Sequence, residues 1–253
     1  MSEYRKYHDF KINHDPIWGL LEKMYDNWGK SKGGIPKIIH QIWLGGEMPP
    51  KFRSLSDTWR EKNPDWEYRL WGDADAKKLK MINRKLFDRA TNYAITSDLL
   101  RYEILYKYGG VYADTDFECM RSFNDFTNLE FFVGSGYSTF PHVYNGLMGA
   151  KSGYDLIFRV INAAKKKEND NIDLGGDAIL KFVSQEFFSK IFIEYVKENC
   201  DGIVALPRTF FYPLPPGRRY DVRALTERDR AEAHKYMTDK TYGIHYWSTS
   251  WKK

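Results

Sequence analysis

The run from Thr91 to Asp116 constrains this chain more than any other stretch of its 253 residues. Ile95, Leu99, Tyr102 and Leu105 recur at helical spacing as far as Tyr108, and Gly109-Gly110 closes that helix at its C-terminal end. Val111-Tyr112-Ala113 follows at once as a short apolar strand, and it opens directly into Asp114-Thr115-Asp116. A helix feeding a buried strand is the unit of an α/β sheet. The two carboxylates are therefore expected at a strand's C-terminal end, where open α/β folds gather their ligands.

The rest of the chain repeats the alternation. Helices are expected over Trp18–Trp28, around Phe52, Leu55 and Trp59 as far as Asn63-Pro64, and over Asp73–Met81, Tyr154–Lys167 and Asp177–Asn199, the last broken near Phe187. Strands are expected at Ile35–Leu44, Trp66–Leu70, Phe131–Gly134, Leu147–Ala150, Ile203–Leu206 and Tyr242–Tyr246. The order predicts an α/β fold: a single Rossmann-like domain over 1–253 with a mixed, mainly parallel sheet flanked by helices. Residues 1–34 form an N-terminal helical extension and 243–253 an aromatic C-terminal segment.

Composition removes several classes. A chain that is 42% hydrophobic and 29% charged is globular rather than disordered. Cys119 and Cys200, 81 positions apart, offer no metal-type spacing and are expected as reduced thiols. The net charge of +5 suits an anionic ligand or peripheral contact with an anionic inner membrane leaflet. Basic residues are dispersed apart from Lys165–Lys167 and Arg218-Arg219, which argues against nucleic acid. There is no apolar leader and no run near 18 apolar residues, so a cytoplasmic protein without a transmembrane segment is expected. Aromatic residues make up 17%, enough for a large core, a sugar- or base-stacking site, or both.

Chemistry concentrates at a few positions. Asp114 and Asp116, where a strand opens into a loop, can reach one hard cation together, and Mg²⁺ or Mn²⁺ would keep positions for phosphate oxygens. The same pair can equally cap a turn. Asp98 and Arg101 stand i, i+3 on the preceding helix, with Asp98 on its apolar side, where a carboxylate needs a partner. Either they pair with each other or they face a polar ligand. His245, within Gly243-Ile244-His245-Tyr246-Trp247, is a packed histidine or a metal ligand. Trp43, ending the first strand, is a core residue or a platform for a flat base.

Together these blocks resemble a known family. Ile38-Ile39-His40-Gln41-Ile42-Trp43-Leu44-Gly45, Ser97-Asp98-Leu99-Leu100-Arg101-Tyr102 and Gly109-Gly110-Val111-Tyr112-Ala113-Asp114-Thr115-Asp116 are similar to the DXD-containing sugar transferases of glycosyltransferase family 32. They are similar also to the catalytic domain of the large clostridial glucosylating toxins. The similarity covers residues 35–120 and the last ten residues, with sixteen positions between Asp98 and Asp114.

The resemblance implies a GT-A fold, Mn²⁺ or Mg²⁺, a nucleotide-sugar donor and retention of anomeric configuration. UDP-galactose or UDP-glucose is favoured, with GDP-mannose as the alternative. By motif position, Asp116 would ligate the metal, Asp114 would touch the ribose or reach the metal through water, and His245 would complete the shell. Asp98 and Arg101 would hold donor-sugar hydroxyls and act with Asp116 in catalysis. Trp43 would stack on the base, Tyr112 would lie against the ribose, and Trp247, Ser250 and Trp251 would close over the diphosphate. Gly175-Gly176-Asp177 stands where many members carry Gly-Pro, so the acceptor wall, Asp177 included, departs from the family pattern. No nucleophile stands out. A front-face departure, with the acceptor hydroxyl deprotonated by the leaving phosphate, fits these residues. The implied acceptor is a saccharide, lipid-linked or free, of capsule, lipopolysaccharide or another surface polysaccharide.

Two other classes compete. A DxD phosphatase would want Thr or Val two residues beyond the second Asp, where Glu118 stands. A non-catalytic sugar-binding protein would have no use for Asp114-Thr115-Asp116 as a cation clamp.

Overall fold

The computed structural model describes residues 2–8, 14–30, 33–136, 138–171 and 178–248. Its strands are β1 (Ile38–Ile42), β2 (Glu67–Trp71), β3 (Gly110–Ala113), β4 (Phe117–Cys119), β5 (Phe131–Ser135), β6 (Val143–Ala150), β7 (Ile203–Leu206) and β8 (Gly243–His245). Six of them form one sheet in the order β2-β1-β3-β6-β5-β7, and β4 pairs with β8 in a second, two-stranded sheet. β1 is parallel to β2 and to β3, and β5 is parallel to β7. β6 runs antiparallel to both of its neighbours, β3 and β5. The result is a mixed, mainly parallel sheet flanked by helices, as the alternation requires.

The central strands are apolar on both faces because helices cover them. Val111, Ala113, Phe131, Val133, Leu147 and Met148 are all fully buried. The helix Tyr93–Tyr108 packs against β1, β3 and β6 and against the helix Asp155–Lys165, while Gln185–Val196 lies on β6. At the other edge of the sheet, Pro16–Asp26 packs on β7, its N-terminus capped by the Asp15 carboxylate, which accepts from the Ile17 N–H.

A buried histidine locks the centre. Trp71 can only donate, so its ring N–H bonds His40 Nδ1 (3.2 Å), and His40 Nε2–H therefore donates to the Gly109 carbonyl (2.9 Å). Burial pushes His40 down to about 4, so it stays neutral in this role. The contact works because Gly110, at φ +92°, passes so close to β1 that a Cβ there would come within 2.4 Å of the Ile38 carbonyl oxygen.

Several elements differ from expectation. β6 begins at Val143, not Leu147. Asn145-Gly146 reads as a turn, yet the Asn145 amide donates to buried partners, and the ladder runs through. The expected long helix is two, Ala178–Phe182 and Gln185–Val196, and the break falls at Val183-Ser184 rather than near Phe187. There the freed Val183 carbonyl accepts from the Tyr102 hydroxyl (3.0 Å). The helix begun at Asp73 ends at Lys78, and Arg84 takes the carbonyls of Ala76 and Leu79 (2.7 and 2.5 Å). β4 and the helices Arg84–Arg89 and Glu227–His234 are additions. Glu227–His234 is polar nearly all round, so it leaves no apolar stripe to read, though Thr226 and Asp229 close a capping box at its start.

Candidate active site

β3 delivers Asp114 to the C-terminal edge of the sheet, and the turn that follows hands the chain to β4. β8 then lies antiparallel on β4, with His245 opposite Phe117 and Ile244 opposite Glu118. The His245 ring stacks on Phe117 at 4.5 Å. This pairing brings His245 Nε2 to 3.0 Å from Asp116 Oδ1 across 129 positions of sequence. One ligand atom each from Asp114, Asp116 and His245 lies within 4.8 Å of the others. The three residues expected to share a cation therefore converge.

Asp116 is only 6% exposed. Its second oxygen accepts from the Ser248 N–H (2.8 Å), and its backbone carbonyl accepts from the Tyr246 N–H (3.0 Å). Asp114 Oδ1 accepts from the Tyr112 hydroxyl (2.7 Å) and pairs with Arg101 Nη2 (3.1 Å). Its Oδ2 lies over Gly146, where a Cβ would approach to 2.7 Å, so only glycine leaves room for it. The Gln41 amide, itself held by the Tyr68 hydroxyl (2.6 Å), donates to the Asp114 carbonyl (3.2 Å).

Arg101 is the hinge of the charge pattern. From the helix it pairs with Asp98 (3.1 Å) and Asp114 together, and its Nη1 donates to the Asn145 carbonyl (2.8 Å). The two sequence readings of Asp98–Arg101 therefore merge: the pair is internal, and it reaches the Asp-Thr-Asp turn. Asn145 Nδ2 donates to Asp98 and to the Tyr102 hydroxyl, both at 2.8 Å. Burial pushes Asp98 up to about 6 against the pull of Arg101, with Asp114 adding to the rise. Burial also raises Asp114, opposed by Arg101. Burial disfavours the Arg101 charge, but Asp114 and then Asp98 outweigh it and hold the guanidinium protonated. Burial likewise keeps Tyr112 a hydroxyl donor to Asp114.

This electrostatics bears on a metal. Asp98 and Asp114 share the single Arg101 guanidinium, and the Asp116 carboxylate beside them meets only His245 and the Ser248 N–H among the described residues, leaving the cluster short of positive charge. His245 Nδ1 is buried without a hydrogen-bond partner among the described residues. Two carboxylates and an imidazole suit Mn²⁺ or Mg²⁺, so the donor set fits the ion that the turn implies.

Trp247 sits at φ +57°, the one non-glycine residue in the left-handed region among those described. Its ring lies 4.4 Å from His245 and 5.4 Å from Tyr144, and its ring N–H donates to the Leu214 carbonyl (3.0 Å). Trp43 is half-buried against Phe52 (4.8 Å), beside the cluster that holds Ile244 and Tyr246. Ser250, Trp251 and Asp177 lie outside the described residues. Sequence reasoning missed Asn145, Gln41 and Tyr212, whose hydroxyl accepts from the Leu147 N–H (3.1 Å). A buried amide in an apolar strand was the available signal for the first.

Comparison with known proteins agrees with this geometry. Residues 49–132 match the family described as glycosyltransferase sugar-binding region containing DXD motif. An inositol phosphoceramide mannosyltransferase 3 of Schizosaccharomyces pombe is 30% identical over 159 residues, 60% of this chain and 44% of its own length. The chain thus spans less than half of that relative. An uncharacterized glycosyltransferase of Acanthamoeba polyphaga mimivirus is 26% identical over 182 residues, 68% of this chain and 70% of that one. Among solved structures, the PaToxG glycosyltransferase superposes with a TM-score of 0.54 at 18% identity, covering 77% of this chain and 79% of its own, which speaks for the GT-A fold. The matched region and the Asp114-Thr115-Asp116 turn at its strand end are thus similar to the DXD-containing glycosyltransferases, and the solved structure shares the fold.

Proposed function

We propose that the protein, working as one unit over residues 1–253, moves a hexose from a nucleotide-diphosphate sugar to a saccharide acceptor of a surface polysaccharide, with retention of configuration and a divalent cation. The observation that carries this reading is the convergence of Asp114, Asp116 and His245 within 4.8 Å. When bound, the cation would offset the charge developing on the departing diphosphate. Asp116 and His245 would hold it, with Asp114 beside them. Arg101, paired with both Asp98 and Asp114, would keep those carboxylates oriented toward the donor sugar. Trp43 would stack on the base, Tyr112 would lie against the ribose, and Trp247 with Ser250 and Trp251 would close over the diphosphate.

A UDP-sugar is the favoured donor, on the resemblance of Trp43 to a base-stacking tryptophan. A second reading, mannosyl transfer from GDP-mannose, draws on the named activity of the fission-yeast relative. Cys119 and Cys200 are both free thiols, in keeping with a cytoplasmic setting, and no helix among the described residues is long and apolar enough to cross a membrane. The test is a panel of UDP- and GDP-sugars assayed for hydrolysis with Mn²⁺ and with chelator. Release of sugar that needs the cation is the expected result, and tighter binding of GDP than UDP in calorimetry would move the donor to the second reading. No turnover of any nucleotide sugar overturns the proposal.

A further inference from the structure

Behind the site, on the two-stranded sheet, lies a second polar cluster that the proposed reaction does not use. Glu118 follows Asp116 by two residues and is 6% exposed. Its Oε2 accepts from the Tyr246 hydroxyl (2.5 Å) and meets His234 Nε2 (3.1 Å), while Arg230 Nε stands 3.9 Å from Oε1. Arg230 and His234 sit i, i+4 on the helix Glu227–His234, so one helix face presents both to the carboxylate.

Tyr246 has every polar group engaged. Its N–H donates to the Asp116 carbonyl, its carbonyl accepts from the Tyr220 N–H, each at 3.0 Å, and its hydroxyl goes to Glu118. The ring is wholly buried. Its two neighbours are His245, which meets Asp116 Oδ1, and Trp247, held at positive φ; one residue on, Ser248 caps Asp116 Oδ2. The contacts of this segment with Asp116 thus come from Tyr246 itself and from residues within two positions of it.

We infer that Glu118 is a positioning residue. With His234 and Arg230 behind it, it fixes Tyr246 and so sets His245 and Ser248 against Asp116 for cation binding. The inference rests on the metal reading proposed above. Partners one shell out from a metal commonly change its affinity by about 10- to 100-fold when removed.

The test is Mn²⁺ affinity, read from the EPR signal of free Mn²⁺ with UDP present, together with melting of the same samples. Tyr246→Phe keeps the buried ring and loses only the hydroxyl; its Mn²⁺ Kd is expected to rise about tenfold. Glu118→Gln keeps a carbonyl acceptor for Tyr246 and should bind Mn²⁺ more tightly than Glu118→Ala, a rescue that a purely bulk-stability role would not produce. Should Glu118→Ala fail to fold, Tyr246→Phe against Glu118→Gln still decides. Variants that melt lower but bind Mn²⁺ as wild type does overturn the inference alone. Wild-type protein that binds no Mn²⁺ overturns the metal reading, and this inference with it.

Discussion

Arg101→Met should be the most costly single change in the site for stability. Arg101 is 6% exposed and answers two carboxylates, Asp98 and Asp114, each at 3.1 Å. Methionine fills similar volume but leaves both without their cation. Breaking a buried ion pair from one side costs about 3–5 kcal/mol. For a chain of this size each kcal/mol moves Tm by about 2–4 °C, so a loss of about 6–20 °C is expected. Asp98→Asn should behave differently, because its carbonyl oxygen can still accept from Arg101 and Asn145 while Arg101 keeps Asp114. Its cost should lie within about 1 kcal/mol. The double variant should then melt above Arg101→Met, since one stranded charge has gone, with a coupling of about 1–3 kcal/mol. Scanning calorimetry of the four proteins at pH 7 measures the cycle. Arg101→Met melting within about 2 °C of wild type, or a double variant less stable than the two single losses added, would refute the account of Arg101 as the shared counter-charge.

The remaining predictions concern metal, turnover and acid. Asp116→Ala should abolish Mn²⁺-dependent binding of UDP in calorimetry, while His245→Ala should weaken it less, because water can replace one neutral ligand. Asp98→Asn should leave UDP affinity nearly unchanged and lower kcat on the order of a hundredfold, about 3 kcal/mol of transition-state stabilisation; equal losses of affinity and turnover would count against a role on the donor sugar. Between pH 6.5 and about 4 the unfolded chain protonates His40 while the fold refuses the proton, so stability falls with acid through that group. Asp98, raised to about 6, takes up its proton in the fold first and pulls the other way between pH 6 and 4. Asp98→Asn should therefore show a steeper loss of stability than wild type over that window in urea titrations, and parallel curves would show that Asp98 does not titrate so.

Much of the architecture was legible because its signals are local. The helix before Gly109-Gly110, the apolar β3 and the alternation around them announce an α/β sheet without reference to distant residues. Asp98, Arg101, Asp114, Asp116 and His245 could be named from their patterns and all meet in space. What stayed hidden depends on long-range pairing. β4 is a three-residue strand whose partner lies more than 120 positions away, so nothing around Phe117 marks it as paired. Asn145-Gly146 carries the signature of a turn, and only the proximity of Asp98 and Asp114 explains an amide and a bare backbone inside a strand. The helix Glu227–His234 has no apolar periodicity, because Ala233 alone is buried and its neighbours Arg230 and His234 meet a carboxylate.

The pairing of β4 with β8 also imposes an order in time. A ribosome that has made the Asp-Thr-Asp turn must add a further 129 residues before His245 exists. At the usual pace of elongation that is roughly 6–26 s. Throughout that interval the nascent chain holds the acidic turn with neither the imidazole nor the Ser248 N–H set against it, and β4 has an open edge. On the proposed metal reading, tight cation retention would arrive only with the strand Gly243–His245, so that a stalled or clipped product would carry the recognisable motif yet lack the grip.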